Sequence, residues 1–351
     1  MKGEHKLEKK YRLYFTAMTA VVIIAIASLA GTILYYQGIV SAHKESSVLA
    51  TLVDDTGYVL NLTSYPKRVV SLAASCTQDI FAVGAGNLVV GVDEYSDVPY
   101  NFSAWIQAGN MTCIGGYTNP SIEAIVALKP NLVFDGGGDP SAVASLRQLC
   151  INVLTLDPSD LGGMLSDLIL VGRATDHQAQ AATLVSSLEQ RIQTIENDLA
   201  NATTTPRVYY ECWSNPYMSA GAGTFTNSLI SLAGGQNIFA NATVPVPTVS
   251  SEEVVALNPD IIIFPSSMGV PNFWGTYSDV ASRPGWNTVN AVKTNSFYTI
   301  DSDIISQPGP TLVDALQELA QIIHPEIFGS YTETYGAYAQ NGTWYLTTAP
   351  P

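Results

Sequence analysis

The stretch SIEAIVALKPNLVFDGGG, residues 121–138, returns as SSEEVVALNPDIIIFPSS, residues 250–267. At one constant offset Glu123 falls on Glu252, Ala127 on Ala256, Leu128 on Leu257 and Pro130 on Pro259. The apolar run Leu132-Val133-Phe134 falls on Ile261-Ile262-Ile263. Each copy reads as a short helix headed by a glutamate and stopped by proline, then a buried strand bounded by turn residues. A chain that writes this unit twice is a pseudo-duplicate, and ligands of such proteins lie in the cleft between the halves.

Outward from the two copies the same grammar continues. VLATLVDDTGYVLNL (48–62) reads as a hairpin about the turn Asp55-Thr56-Gly57. RVVSL is a short buried strand, residues 77–83 a helix, and LVVGV (88–92) another strand. Gly136-Gly137-Gly138 is a loop, and a strand follows at 152–156. Strands alternating with helices imply βαβ units and a mostly parallel sheet. Residues 159–200 contain no strand-like run; Leu184, Leu188, Ile192, Ile195 and Leu199 recur at helical spacing. Gly172 and Asp176 allow a break, so a short helix feeds into one long helix. From Arg207 the pattern restarts with RVYYECW, a helix at 224–232, QNIF, the second copy, SFYTI (296–300) and an amphipathic helix at 311–323.

These readings give two α/β lobes, at 48–157 and 206–328, joined by connecting helices at 158–205. A basic segment (1–13), an apolar span (14–36) and a linker (37–47) precede them, and a Tyr- and Thr-rich tail (329–351) follows.

The chain has 351 residues, 47% of them hydrophobic and 13% charged, and a net charge of −15. It is long enough for two packed cores. Its acidity excludes nucleic acid as a partner, because phosphate binding needs clustered Lys and Arg. Basic residues cluster only at the N-terminus: Lys2, Lys6, Lys9, Lys10 and Arg12 precede a run from Tyr14 to Tyr36 with no charge. Such a run spans a hydrocarbon core of ~30 Å as a helix, and its basic flank predicts a cytoplasmic N-terminus and an exported body. The rival reading is a signal peptide cleaved near Ser28-Leu29-Ala30. Six sequons, at Asn61, Asn101, Asn110, Asn201, Asn241 and Asn341, are glycosylation candidates on a cell surface. Cys76, Cys113, Cys150 and Cys212 are widely spaced, which leaves both a disulfide and free thiols open.

Enzymatic motifs are absent. There is no G-x-x-x-x-G-K-[ST] loop and no G-x-S-x-G elbow, and SAGAGTFTNS (219–228) is Gly-rich without the lysine. His5, His43, His177 and His324 are isolated, so no metal site or cofactor is expected.

ATLVDDTGYVLNLTSYPKRVVSLAASCTQDIFAVGAGNLVVGVDEYSDVP (50–99) resembles the opening of the substrate-binding proteins of the iron-siderophore and vitamin B12 class of ABC importers. The repeated E-x-x-x-A-L-x-P-[DN] units, GGQNIF (234–239) and PGWNTVNAVKTNSFYTIDSD (284–303) are similar to later parts of that family. The resemblance covers about residues 48–325. It implies two Rossmann-like α/β lobes bridged by one rigid helix, with small closure on ligand, and a permease dimer with ATPase subunits as partner. It also implies that Glu123 and Glu252 project from their lobes and pair with permease arginines. The implied ligand contacts in the first lobe are Ser75, Cys76, Tyr95 and Tyr117. In the second, ECWSNPYMSAG (211–221) places Trp213, Tyr217 and Ser219 near a strand's carboxyl end, where α/β clefts bind, and Asp303 is a further candidate contact. The implied ligand is a small metal chelate, whether corrinoid, ferric siderophore or, less in keeping with the residues, heme.

Two departures bear on that ligand. Val246 stands where the vitamin B12 binders have tryptophan, and DSDIISQPGPT (301–311) shows Gln307 and no basic residue where they have arginine. A buried anion without a partner is costly, so the expectation is a ligand that is neutral or cationic overall. No lipobox cysteine follows the apolar run, so a protein anchor must replace a lipid. The alternative reading is a structural or adhesive surface glycoprotein that keeps the binding-protein fold. A chelatase-like enzyme would need a cleft histidine, and none is evident.

Overall fold

The computed structural model describes residues 25–34, 48–97, 102–266 and 277–331. The chain divides into an N-terminal unit, Met1–Val48, and a body, Leu49–Pro351. In the first unit, residues 25–34 form an exposed helix, α1. Among the described residues no helix is long and apolar enough to cross a membrane. The rest of the expected span 14–36 lies outside the described residues, as do Asn101, Asn341 and the tail from 332.

The body opens with an antiparallel hairpin, β1 (Ala50–Val53) and β2 (Val59–Leu62). Asp54 organises its turn: one oxygen accepts from Thr56 and Tyr58 amides, the other from Arg147 at 2.9 Å. The first sheet takes β3 (Val69–Ser71), β4 (Val89–Val92), β5 (Thr112–Cys113), β8 (Leu132–Asp135) and β9 (Val153–Thr155). All its neighbours are parallel, in the order β5-β4-β3-β8-β9. A small ladder, β6 (Gly115–Gly116) with β7 (Asn119–Pro120), stands beside it. The second sheet has the order β11-β10-β13-β14, from β10 (Arg207–Ser214), β11 (Tyr217–Ser219), β13 (Ile261–Ser266) and β14 (Phe297–Asp301). Strand β12 (Gln236–Asn237) also pairs with β10.

Both sheets are covered on both faces, which explains why their strands read as continuous apolar runs. Along β8, Leu132 and Phe134 enter one core while Val133 enters another. Along β13, Ile261 and Ile263 enter the first core while Ile262 and Phe264 enter a third. The first core therefore runs through both lobes.

Helices fill these faces. In the first lobe they are α2 (Ala74–Ala82), α3 (Phe102–Gln107), α4 (Ile122–Ala127), α5 (Pro140–Gln148) and α6 (Leu161–Thr175). Helix α7 (Gln178–Leu199) follows, at 22 residues about 33 Å long. In the second lobe they are α8 (Phe225–Leu232), α9 (Ser251–Leu257), α10 (Tyr277–Ala281), α11 (Asn290–Lys293), α12 (Ser302–Ile305), α13 (Leu312–Ile323) and α14 (Pro325–Phe328). Helix α6 ends at Asp176, whose φ of 65° turns the chain. There α7 crosses so closely that a Cβ on Gly172 would stand 2.4 Å from Ala181. At its other end α7 meets α13 through Arg191 and Asp314, 2.7 Å apart. One helix thus ties both lobes together.

The repeat is structural down to its hydrogen bonds. Ser121 caps α4 and Ser250 caps α9, the latter in a reciprocal capping box with Glu253. Lys129 and Asn258 both take positive φ before their prolines. Asn131 N donates to Arg68 O, and Asp260 N donates to Arg207 O, each at 2.8 Å. The side chains answer: Asn131 Oδ1 accepts from Arg68 N at 3.0 Å, and Asp260 Oδ2 from Arg207 N at 3.0 Å. Each unit is latched in the same way to the start of the neighbouring strand, β3 in one lobe and β10 in the other.

Candidate ligand-binding cleft

In an open parallel sheet, loops diverge where the strand order reverses, and the crevice opens at the carboxyl ends of the strands. In the first sheet that point is β3, with β4 on one side and β8 on the other. The segments leaving those strands, Ala73-Ala74-Ser75, Asp93-Glu94-Tyr95 and Gly136, form one wall of a cleft of about 710 Å³. Asp157, which follows β9, extends the wall. The opposite wall comes from the residues leaving β14, Ser302, Asp303, Ser306, Gln307 and Pro308, with Phe225 at the start of α8. The cleft is therefore built from the strand ends of both lobes.

Its floor is a hydrogen-bonded crossing between lobes. Gln78 of α2, almost fully buried, donates through Nε2 to Gln307 Oε1 at 2.6 Å, and its Oε1 accepts from Thr311 Oγ1 at 2.7 Å. Gly309 permits this approach, since a Cβ there would stand 2.6 Å from Gln78 Oε1. Gln307 in turn donates to Asp303 Oδ1 at 3.2 Å.

Tyr117, at the tip of the small ladder, donates its hydroxyl to Gly136 O at 2.7 Å. The glycine loop makes this possible, because a Cβ on Gly138 would stand 2.2 Å from Tyr117 O. Tyr95 is 60% exposed at the rim. Asp93 is buried beneath it, held by the Ser96 hydroxyl and the Tyr95 amide, and burial raises its carboxyl above the usual range.

The cleft is acidic. Asp93, Glu94, Asp97, Asp157 and Asp303 line it, and among the described residues no Lys or Arg does. Arg147, Arg191 and Arg283 are committed elsewhere, to Asp54, Asp314 and Glu211. Burial, then the neighbouring charges of Asp301 and Asp97, push Asp303 up to about 6.

A family model described as periplasmic binding protein matches residues 69–304, two thirds of the chain and nearly all of both sheets. The chain belongs to the periplasmic binding protein family. It is 28% identical over 296 residues to the ABC transporter substrate-binding lipoprotein YvrC of Bacillus subtilis, covering 82% of this chain and 90% of that one. Among solved structures it is similar to BtuF of Vibrio cholerae, a periplasmic vitamin B12 binding protein. There the TM-score is 0.62 at 25% identity, over 74% of this chain and 96% of the other. It is also similar to the periplasmic heme-binding protein RhuT from Roseiflexus sp. RS-1, with a TM-score of 0.65 at 25% identity, over 74% and 98%. These are relatives of the kind the sequence resemblance implied. They are binding proteins and not enzymes, and this binding protein is one too.

The structure sorts the expected contacts. Ser75, Tyr95, Tyr117 and Asp303 line the cleft. Cys76, one residue beyond Ser75, turns into the first core and is fully buried. Trp213, Tyr217 and Ser219 sit on the β10–β11 hairpin and do not line it. Tyr217 instead receives the Arg283 guanidinium at 4.7 Å from its ring centre, beside the buried pair Arg283–Glu211. Ser219 is buried, donating to Tyr210 O at 2.7 Å, and the Trp213 indole donates to Asn215 O at 3.0 Å. Among the described residues all four cysteines are free.

Sequence reasoning missed Asp93, Glu94 and Asp97. Their signal lies in VDEYSD (92–97), where carboxylates flank the tyrosine on either side. Gln78 gave no signal, because its partners are more than 200 positions away.

Glu123 and Glu252 are both exposed, each at the second position of its Ser-capped helix. A carboxylate there favours the helix dipole, and the two stand at equivalent places on the two lobes.

Proposed function

We propose that this chain is the extracytoplasmic solute-binding component of an ABC importer. It captures a metal chelate, a corrinoid or a ferric siderophore, in the cleft between its lobes and delivers it to a permease. The observation that carries this reading is the cleft itself, assembled at the carboxyl ends of strands of both sheets across an interlobe hydrogen bond. Its volume falls within the range of small-molecule sites. The names of YvrC and BtuF point the same way. The alternative, a structural or adhesive surface glycoprotein, finds no support in these relatives.

In this reading Glu123 and Glu252 dock the loaded protein on the permease. Two carboxylates, one per lobe, straddle a dimeric pore and gain charge-assisted bonds to guanidinium groups. Helix α7 and the Gln78 crossing keep lobe closure small. The apolar run 14–36 holds the body at the membrane in place of a lipid, with the N-terminus in the cytoplasm. Asn61, Asn110, Asn201 and Asn241 are exposed, as acceptor sites on an exported face require.

The test is a calorimetric titration of the full chain in detergent against cobalamin, cobinamide, ferric hydroxamates, ferric catecholates and hemin. Saturable one-to-one binding of a corrinoid or a ferric siderophore is expected. Silence against the whole panel overturns the importer reading.

A further inference from the structure

We infer that the cleft is selective for chelates of net positive charge, and that Asp303 of one lobe and Asp97 of the other jointly receive the cationic side of the ligand. This rests on the importer reading above and narrows the class of solute.

Among the described residues five carboxyl groups line the cleft, four from the first lobe and Asp303 from the second, without a lining Lys or Arg. The two internal segments outside the described residues, 98–101 and 267–276, contain no charged residue, so neither supplies a counter-ion. The N-terminus of α2 on this wall has no side-chain cap. A helix end is equivalent to about half a unit charge, too little to offset several carboxylates. It suits a carbonyl or hydroxamate oxygen on the ligand better than a free anion. An anionic chelate entering this cleft would bring like charge to like charge in a partly desolvated space, where such pairs are penalised more than in water.

Two of the lining carboxyls, Asp97 and Asp303, come from opposite walls of the cleft. Asp97 accepts from the Ser103 amide and hydroxyl, at 3.3 and 3.2 Å, which fixes its position on the first lobe. Asp303 is held on the second lobe by its own amide, donated to Asp301 Oδ1 at 2.8 Å, and by Gln307 at 3.2 Å. The charged groups around Asp303 are Asp301 on β14 and Asp97 on the facing wall, and both disfavour its carboxylate. Asp93, Glu94, Asp157 and the phenols of Tyr95 and Tyr117 complete the opposite wall. Like charges from the two lobes are thus brought together in one cleft. A cation between Asp97 and Asp303 removes that repulsion and draws the lobes together, while Tyr95 and Tyr117 offer ring faces to the same charge.

The experiment compares chelates that differ in charge and share a skeleton, using the full chain in detergent. One pair is a ferric trihydroxamate bearing a free ammonium group and its neutral N-acetylated analogue. The other is diaquacobinamide, a cation, and neutral dicyanocobinamide. In whichever skeleton binds, the cationic member is expected to bind roughly tenfold tighter or more. That preference should shrink with added salt and in Asp303→Asn and Asp97→Asn variants. Equal affinity for the two members, or preference for the neutral one, overturns this inference and leaves the importer reading standing. Binding of neither pair, with silence also against catecholates and hemin, overturns both. The wild-type comparison needs no variant, so it decides even if a substitution harms folding.

Discussion

Gln78 and Gln307 are joined side chain to side chain at 2.6 Å across the two lobes, and Thr311 closes the other end of the Gln78 amide at 2.7 Å. A buried amide with both ends satisfied stabilises little by itself but is costly to disrupt. Gln78→Leu is expected to lower stability by about 1–3 kcal/mol in urea unfolding. Combined with Gln307→Leu it should show a coupling of at least about 0.5 kcal/mol. Strict additivity would mean that the two lobes do not communicate through this bond.

Asp167 on α6 is buried, and its Oδ2 has no hydrogen-bond partner among the described residues. Burial, then the charge of Asp55, raises its carboxyl to about 8. An unfolded aspartate releases its proton near 3.8, so between those values the native state holds a proton that the unfolded chain does not. Stability therefore falls as pH rises through this window, by up to about 1.4 kcal/mol per pH unit. Asp167→Asn removes the titration. Its melting temperature should exceed the wild type's at about pH 8 and converge with it near about pH 4. A constant difference across the range contradicts this.

Burial, then the neighbouring charges of Asp301 and Asp97, push the Asp303 carboxyl up to about 6, and a cation favours its ionised form. Affinity for a cationic chelate should rise as pH rises through about 6 and level off above it. Asp303→Asn should flatten the profile. Affinity that falls with rising pH in the wild type would place the cation elsewhere.

Replacing Glu123 or Glu252 with Lys should weaken association with the cognate permease while leaving ligand affinity unchanged. The measurement is transport in reconstituted vesicles beside calorimetry of the soluble step. Loss of about 1.5 kcal/mol or more per site is expected for a desolvated charge pair. Undiminished transport by the double Lys variant would remove both glutamates from the interface.

The fold was legible where local chemistry repeats. Cap, glutamate, pre-proline turn and branched strand recur in one order, and a strand buried on both faces shows as an unbroken apolar run. The start of α2 was less legible. It was expected at residue 77 and begins at Ala74, because Ala73-Ala74-Ser75 offers no capping side chain at the boundary. The cleft was half legible. Ser75, Tyr95 and Asp303 lie just beyond the carboxyl ends of parallel strands, which follows from topology, whereas Tyr117 sits at the turn of the antiparallel β6–β7 ladder. The β10–β11 hairpin misled, because an aromatic near a strand end reads alike whether it faces a ligand or an arginine. For Tyr217 the arginine won, since Arg283 reaches its ring from 66 positions away (283 − 217). Pairings of that kind depend on tertiary structure and have no local signature.

The most direct measurement is hydrogen–deuterium exchange of the full chain with and without a saturating chelate found by the titration. Slower exchange is expected in the segments around residues 73–78, 93–97, 117–118, 136–138 and 302–309, drawn from both lobes, with the hairpin strands 50–53 and 59–62 unchanged. Protection confined to one lobe, or appearing on the hairpin and not on the strand-end loops, would contradict a ligand held between the lobes.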